Sequence, residues 1–291
     1  MSTPATPLNP PSAGPSSPAV DAEIAGRLVA WIAAAVARRV EVGTAAAAIE
    51  AGTGGHVVLG LPSELGETSG EPSRETSLRE ALEAMRSARP RRLTLVVPTA
   101  GDPLGLSGVG PFTQAAVLAG LGVTIEYADG SYGWVPERDA RGSSYEGVRW
   151  SVLPGAAAAA TLTVDPDRIV EQADRALRRA LRAAAATLGD VDLARWRPEV
   201  AVGRAAADAA LRANAPAFPP GWPVSARMLG ERAIALWRLL RVAGSDHGAV
   251  SASGSAVRVE TLRSLSHVVR ETTMTAFNVP AAALLRDSGV R

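Results

Sequence analysis

LTLVVPTAGDPLGLSGVGP, residues 93–111, joins the strongest strand signal of the chain to its most glycine-rich loop. The apolar run 93–98 is typical of a strand buried on both faces, so we expect it to be central in a sheet. Glycines let the following loop turn sharply, because they adopt backbone conformations that other residues avoid. A short helix at 112–118 and a strand at 123–128 then predict a β-α-β unit in outline.

Two further strands and two helices are predicted around this unit. Residues 56–61 (HVVLGL) form a short apolar run, and residues 148–152 (VRWSV) alternate between apolar and polar side chains. Helical spacing of apolar residues predicts one helix from residue 24 to about residue 43 and another over 77–85. The first half is therefore expected to be an α/β region with a small mixed sheet and flanking helices.

The second half has a different sequence pattern, with apolar residues at helical spacing, and is predicted to be all-α. Asp165 and Pro166 supply a cap and a first-turn proline for a helix that Gly189 ends. Further helices are expected near 198–214, over 229–240 and over 262–277, with a stiff proline-rich connector at 215–225. We therefore divide the chain into a disordered tail at 1–20, an α/β region at 21–155 and a helical region at 156–291, the last two packed as one unit.

Composition excludes several kinds of chemistry. The 291 residues contain no cysteine, and all 30 basic residues are arginine. Schiff-base enzymes, serine-lysine dyads and lysine-containing phosphate loops are thereby excluded, together with disulfides and thiolate zinc sites. The formal net charge of +1 gives no overall field that would hold nucleic acid or an anionic membrane.

The glycine-rich loop 101–113 is the strongest candidate for a ligand site. It follows a buried strand and opens a helix, where free backbone N–H groups can meet an anion. The spacing G-x-x-G-x-G differs from the dinucleotide fingerprint, and Asp102 would repel a phosphate in the same pocket, so a shaped β-α turn without a ligand stays open as the alternative. The candidate ligand-binding residues are Asp102, Gly105, Gly108, Gly110, Phe112 and Thr113.

Other groups of polar residues favour surface or structural roles. Four arginines at helical spacing form a positive stripe that can meet phosphate or an acidic partner, although a solvated face is the default interpretation. These possible anion contacts are Arg175, Arg178, Arg179 and Arg182. Of three histidines, His56 is interpreted as a satisfied or partly exposed edge histidine of its strand and His267 as part of a solvated, salt-linked helix face, while His247 lies in a polar loop. No metal site and no cofactor are predicted.

A resemblance supports one evolutionary unit. The segments VVPTAGDPLGLSGVGPFTQAA, GWVPE, VRW, ARWRPEV, FPPGWPVSAR and LRSLSHVVRETTMTAFN resemble a family of uncharacterised actinobacterial proteins over about residues 93–278. No activity is attached to that family, so the resemblance implies no site residues. It does imply a bacterial cytoplasmic setting and a single unit that spans both halves.

These observations lead to two functional hypotheses. The first is a cytoplasmic, non-catalytic interaction or regulatory protein with a small-molecule or anion site at loop 101–113. The alternative is an enzyme that acts there on a phosphorylated or carboxylated small molecule, with arginine as the anion clamp. Partners are expected to be a protein or a small molecule, without sequence-specific nucleic acid and without a membrane. A deep pocket that joins the loop to a buried acid or histidine would favour the enzyme.

Overall fold

The computed structural model describes residues 21–62, 75–141, 145–155, 157–158, 165–190, 218–245 and 252–289. The helices within these ranges are α1 (Ala22–Val36), α2 (Val42–Glu50), α3 (Leu78–Ala88), α4 (Pro111–Ala119), α5 (Pro166–Asp190), α6 (Val224–Ser245) and α7 (Ala252–Asp287). The strands are β1 (His56–Leu59), β2 (Glu75–Ser77), β3 (Arg92–Val96), β4 (Leu106–Ser107), β5 (Gly122–Glu126), β6 (Ser131–Arg141), β7 (Tyr145–Pro154) and β8 (Ala157–Ala158).

Six strands form one mixed sheet in the order β2-β1-β7-β6-β5-β3. Strands β1 and β7 are parallel, and the other neighbours in this sheet are antiparallel. Strands β4 and β8 form a separate two-stranded ribbon. The predicted fold class is confirmed, because a mixed sheet with helices is followed by a region in which α5, α6 and α7 are helical.

Two expectations about β3 are wrong. The strand lies at the edge of the sheet, with β5 as its strand neighbour, whereas the apolar run predicted a central position. Strands β3 and β5 also pair antiparallel, with Leu93 opposite Ile125, so α4 does not make the parallel crossover of a β-α-β unit. An edge strand can be this apolar when another element covers its open side.

Strand β6 was not predicted, although it is the longest strand of the sheet. Its sequence contains Gly133, Pro136 and several charged residues, which weaken the strand signal. Pro136 fits because β5 pairs with β6 only from Ser131 to Trp134, so the missing N–H faces no strand on that side. The tertiary register, and not the local pattern, permits this proline.

The helix predicted from residue 24 to about residue 43 ends earlier than expected, and a second helix that was not predicted follows it. Helix α1 ends at Val36, and Arg38 adopts a left-handed conformation with φ 56° before α2 begins at Val42. Helix α1 is buried along nearly its whole length, which is typical of a helix enclosed by other elements on all sides. A Cβ at Gly26 would stand 2.5 Å from the ring of Phe277, so glycine permits α1 and α7 to cross closely.

The helices of the second half pack around α7, which contacts α1, α5, α6 and strand β3. Helix α7 is longer than the predicted 262–277 and continues through Pro280. Phe218 and Trp222 of the predicted connector are buried, and the Phe218 ring stacks on Phe277 with 4.9 Å between centroids. The tail 1–20, the predicted helix 198–214, most of the polar loop after β1 and His247 lie outside the described residues.

Candidate functional site

The open edge of β3 is covered by polar side chains of α7. The Asn278 carboxamide bonds both backbone groups of Leu95: its Nδ2 donates to the carbonyl oxygen at 2.9 Å, and its Oδ1 accepts from the N–H at 2.7 Å. Two residues further along, Arg270 Nη1 donates to the carbonyl oxygen of Val97 at 3.1 Å. The helix therefore takes the place of a neighbouring strand.

Arg270 also holds the start of the glycine-rich loop. Its side chain is 4% exposed, and its Nη2 donates to Asp102 Oδ2 at 2.5 Å. The same carboxylate oxygen lies 2.7 Å from His267 Nδ1. The backbone of Asp102 is also fixed. Its N–H donates to the carbonyl oxygen of Thr99, and its carbonyl oxygen accepts from the N–H of Thr99, each at 2.9 Å.

The charges of this cluster balance locally. Partial burial opposes the ionised form of Asp102, but hydrogen bonds from His267 and Arg270 and the charge of Arg270 outweigh it, so the pKa of the carboxyl is lowered. The guanidinium of Arg270, which the sequence analysis did not name among the possible anion contacts, is thus paired with a carboxylate from the loop itself. The far side of the His267 ring, Nε2, lies 3.6 Å from Glu271 Oε1, which agrees with the predicted salt-linked face.

The loop depends on two of its three candidate glycines for its shape. Gly105 and Gly108 have φ of 79° and 84°, which confirms the expectation of positive φ, whereas Gly110 is extended at −177°. A Cβ at Gly105 would also stand 2.5 Å from Met274 Cε, so α7 passes close to the loop here. Gly108 has open space around the corresponding position.

Phe112 and Thr113 have structural contacts in α4. Phe112 is buried, with its ring over Gly133 of β6. Thr113 Oγ1 donates to the carbonyl oxygen of Gly108 at 3.3 Å. Neither these two residues nor Gly108 and Gly110 line the cleft between β3, the loop, α5 and α7, so the structure brings only part of the candidate set together.

A cleft of about 250 Å³ lies where β3, the glycine-rich loop, α5 and α7 meet. Leu104 and Gly105 are the loop residues in its wall, and apolar and polar residues supply the rest in equal number. The complete lining is Arg92, Leu93, Thr94, Leu104, Gly105, Ile169, Glu271, Met274, Thr275, Asn278, Val279 and Ala282. Both halves of the chain therefore build it.

The arginine stripe lies on the exposed face of α5, away from the cleft lining. Arg178 pairs with Asp174 at 2.7 Å, and Arg175 lies 3.6 Å from Glu171, each within one helical turn. Arg179 and Arg182 are exposed and have no ion pair with other described residues. The stripe is thus half neutralised within its own helix.

His56 belongs to a second polar cluster, inside the core. Trp150 Nε1 donates to His56 Nδ1 at 3.3 Å, so the ring proton is on Nε2, which lies 2.9 Å from Thr53 Oγ1. Thr53 Oγ1 in turn donates to the carbonyl oxygen of Glu50 at 3.0 Å. Burial, with a smaller effect of the Arg27 charge, lowers the pKa of His56 to about 4. His56 is a satisfied, neutral residue, as its position in an apolar strand predicted.

Sequence reasoning missed the contribution of α7 to this site. Arg270, Met274, Asn278 and Ala282 recur every fourth residue and therefore lie on one helix face, and each contacts β3, the loop or the cleft. The four-residue spacing of these side chains was the signal in the sequence that they share one helix face. The sequence alone did not show what this face packs against, because Arg270 and Asn278 are also typical of a solvated face.

The fold and the site define an α/β protein with a mixed sheet. Its edge strand β3 is covered by α7 of the second half, and a small cleft lies beside the two. Residues 25–167 match the Rv1486c-like protein, N-terminal domain, and residues 171–274 match the Rv1486c-like protein, C-terminal domain. The chain belongs to the Rv1486c-like family, which is named after a mycobacterial reading frame and agrees with the resemblance found in its motifs. No curated protein and no solved structure matches the chain.

In the described part of the chain, no helix is long and apolar enough to cross a membrane. Within the same ranges, no group of three or more His, Asp or Glu side chains is arranged to hold a metal ion.

Proposed function

We propose that the protein is a cytoplasmic, non-catalytic regulatory or interaction protein that binds a small molecule in the cleft beside Leu104 and Gly105. The observation that carries the proposal is the cleft itself, with a volume of about 250 Å³ and largely apolar walls. Small-molecule sites are typically concave, mostly apolar and supplied with a few fixed polar groups. Asn278 and Thr94 are polar groups of this kind in the lining.

The charges around the cleft favour a neutral ligand over a phosphate or carboxylate. Arg270 is paired with Asp102, and Arg92 is paired with Glu126 at 3.2 Å. Glu271 adds a carboxylate to the lining. An anion entering here would meet the carboxylate of Glu271 and the guanidinium of Arg92, which already has a partner.

The composition of the lining also supports the proposal that regions 21–155 and 156–291 act as one unit. Leu104 comes from the first region, and Ile169 and Met274 come from the second. Neither region alone would enclose the ligand. We do not include nucleic acid or a membrane among the partners, in keeping with the net charge of +1.

A metabolite screen by thermal shift, followed by calorimetry of the compounds that bind, tests the proposal. A ligand that binds the folded state raises the midpoint by mass action. Thr275→Trp places an indole in the cleft, and Thr261→Trp is the matched control, since both threonines lie on α7 and donate to the carbonyl four residues earlier. We expect T275W to abolish binding and T261W to retain it. Binding that T275W leaves unchanged would overturn the proposal.

The second candidate function is an enzyme, favoured by one observation. Asp102 orients the imidazole of His267, as a carboxylate does for a histidine that acts as general acid or base, and the ring is 42% exposed. Incubating each bound compound with the protein and following it by NMR tests this function. Turnover that is lost in His267→Gln, while binding persists, would favour the enzyme.

A further inference from the structure

We infer that a second cavity of the protein binds a small organic cation, in which an ammonium group is carried on an apolar body. The cavity measures about 210 Å³ and lies between the start of α5, the residues just before α6 and the last turns of α7. Its lining, among the described residues, is Pro166, Asp167, Val170, Gly221, Pro223, Val279, Pro280, Ala283, Leu284 and Asp287. This site is distinct from the cleft beside Leu104 and does not depend on the function proposed for that cleft.

The two cavities lie on different sides of α7. Asn278 and Ala282 line the first cleft, whereas Ala283 and Asp287 line the second cavity. The two pairs point in different directions, because each residue advances about 100° around the helix axis. Val279 lies between these directions, is 5% exposed and lines both cavities. A ligand can therefore occupy one cavity without entering the other.

The walls of the second cavity are apolar and stiff. Eight of the ten described lining residues have no polar side-chain atom. Pro166, Pro223 and Pro280 are among them, and their rings fix the backbone φ angle. A preformed apolar wall lowers the ordering cost of binding and favours a ligand with an apolar body. The cavity is smaller than the roughly 300–1,000 Å³ of typical ligand sites, so it suits a body of about one ring.

The remaining two lining residues are aspartates. The carboxylates of Asp167 and Asp287 have no ion pair and no hydrogen bond with other described residues. Their basic neighbours in sequence, Arg168 and Arg286, are not among the described lining residues. Asp287 is also the last residue of α7, where the helix dipole adds negative potential. Charges of one sign beside an apolar wall attract the opposite charge, so the cavity favours a cation over an anion or a neutral molecule.

Benzylamine and benzyl alcohol are the matched probes, because they share one ring and differ in the ammonium group that benzylamine carries at pH 7. Their affinities for the full chain are measured by NMR titration at millimolar concentration. We expect benzylamine to bind at least about fivefold more tightly, since ion pairs with exposed carboxylates each contribute modestly. Benzylamine should also shift the amide cross-peak of Gly221 and leave that of Gly105, in the first cleft, unmoved.

Two kinds of variant test the charges and the cavity separately. Asp167→Asn combined with Asp287→Asn should lower benzylamine affinity by about fivefold and leave the affinity for benzyl alcohol unchanged. Glu171→Gln is the control, since this exposed carboxylate of α5 is not among the described lining residues. Ala283→Leu fills the cavity and should abolish benzylamine binding, whereas Ala282→Leu, on the side of the first cleft, should retain it.

Several results would overturn the inference. Equal affinities for the two probes, an unmoved Gly221 cross-peak, or unchanged benzylamine affinity in the D167N/D287N variant would each do so. Absence of benzylamine binding, or its loss in A282L and not in A283L, would also overturn it. None of these results decides the proposed function, because the metabolite screen and T275W test the first cleft.

Discussion

The ring of Phe112 lies against the backbone of Gly133. A Cβ built on Gly133 would stand 2.0 Å from Phe112 Cδ2, well inside any contact that two carbon atoms make. Phe112 belongs to a small second cluster of buried residues, with Val96, Ala116 and Val135, that fixes α4 on the sheet. The side chain that fills this space is therefore supplied by the helix, and the strand leaves room for it.

Replacing Gly133 should loosen α4. We expect Gly133→Ala to lower the free energy of unfolding by about 1–3 kcal/mol, because the ring must shift out of its site. Gly130→Ala is the control, since nothing lies within 4 Å of the added methyl group, and it should stay within about 0.5 kcal/mol of wild type. The urea midpoints of unfolding of the two variants measure the difference. Equal midpoints would contradict the close packing of Phe112 on Gly133.

Replacement of the three loop glycines by alanine should lower the free energy of unfolding by different amounts. Gly105→Ala combines positive φ with a close approach to Met274, so it should cost more than the roughly 1 kcal/mol of an average substitution. Gly108→Ala should cost about 1 kcal/mol from backbone strain alone, and Gly110→Ala should be nearly neutral. Denaturant midpoints for the three variants test this ranking. Three neutral results would show a tolerant loop.

The free energy of unfolding should fall as the solution is acidified, through His56. The pKa of this residue is about 4 in the folded chain and 6.5 when unfolded, so the unfolded state binds more protons between these values. Stability is therefore complete above pH 6.5 and declines as the pH falls toward 4, by about 3 kcal/mol in all. Urea unfolding at a series of pH values measures the slope.

Variants assign that slope to one histidine. His56→Gln should be less stable than wild type at neutral pH but should lose this part of the pH dependence, because glutamine does not titrate. His267→Gln should keep it, since the ring of His267 lies at the surface against Asp102. A slope that survives in H56Q would show that another group is responsible.

Asn278 should be costly to replace by an apolar residue of similar size. Asn278→Leu leaves the N–H and C=O of Leu95 without partners, and we expect a loss of about 2–4 kcal/mol. Thr275→Ala, which removes only a hydroxyl bonded to its own helix, should change stability by less than about 0.5 kcal/mol. Light scattering should also show association of N278L, because its strand edge is open to pairing. A stable, monomeric N278L would contradict the edge-covering role.

The arginine stripe should not make the protein a DNA-binding protein. We expect no retardation of duplex DNA at moderate salt, because Arg175 and Arg178 already pair with acids of the same helix. Gel retardation measures this. Retardation that disappears when Arg178 and Arg179 are both replaced by Ala would show the expectation to be wrong.

Local sequence patterns were sufficient for several elements. The predicted helix 77–85 begins as expected because Ser77 and Glu80 form a capping box, whose bonds join residues three apart. The helix after Asp165 is similarly marked by its cap and by Pro166. Signals of this kind act within a few residues, so a single sequence contains them completely.

The position of β3 could not be obtained in this way. An apolar run shows that both faces of a strand are buried, but its edge is covered by Arg270 and Asn278, which are remote in the chain. The cleft depends on the same long-range contacts, since its lining combines residues of β3, such as Leu93, with residues of α7, such as Ala282. Reasoning from the loop alone therefore included Gly105 among the candidate residues but not Leu104 or the helix that faces them.

The cover on β3 also sets an order of events during protein synthesis. Asn278 is translated 183 residues after Leu95, so the ribosome exposes the edge strand well before its covering helix exists. At about 5–20 residues per second, this interval lasts roughly 10–40 seconds. Neighbouring nascent chains on one messenger RNA present the same unpaired edge at that time. An open strand edge is a template for pairing with another chain, so this interval is the time at which a new chain is most exposed to association with its neighbours.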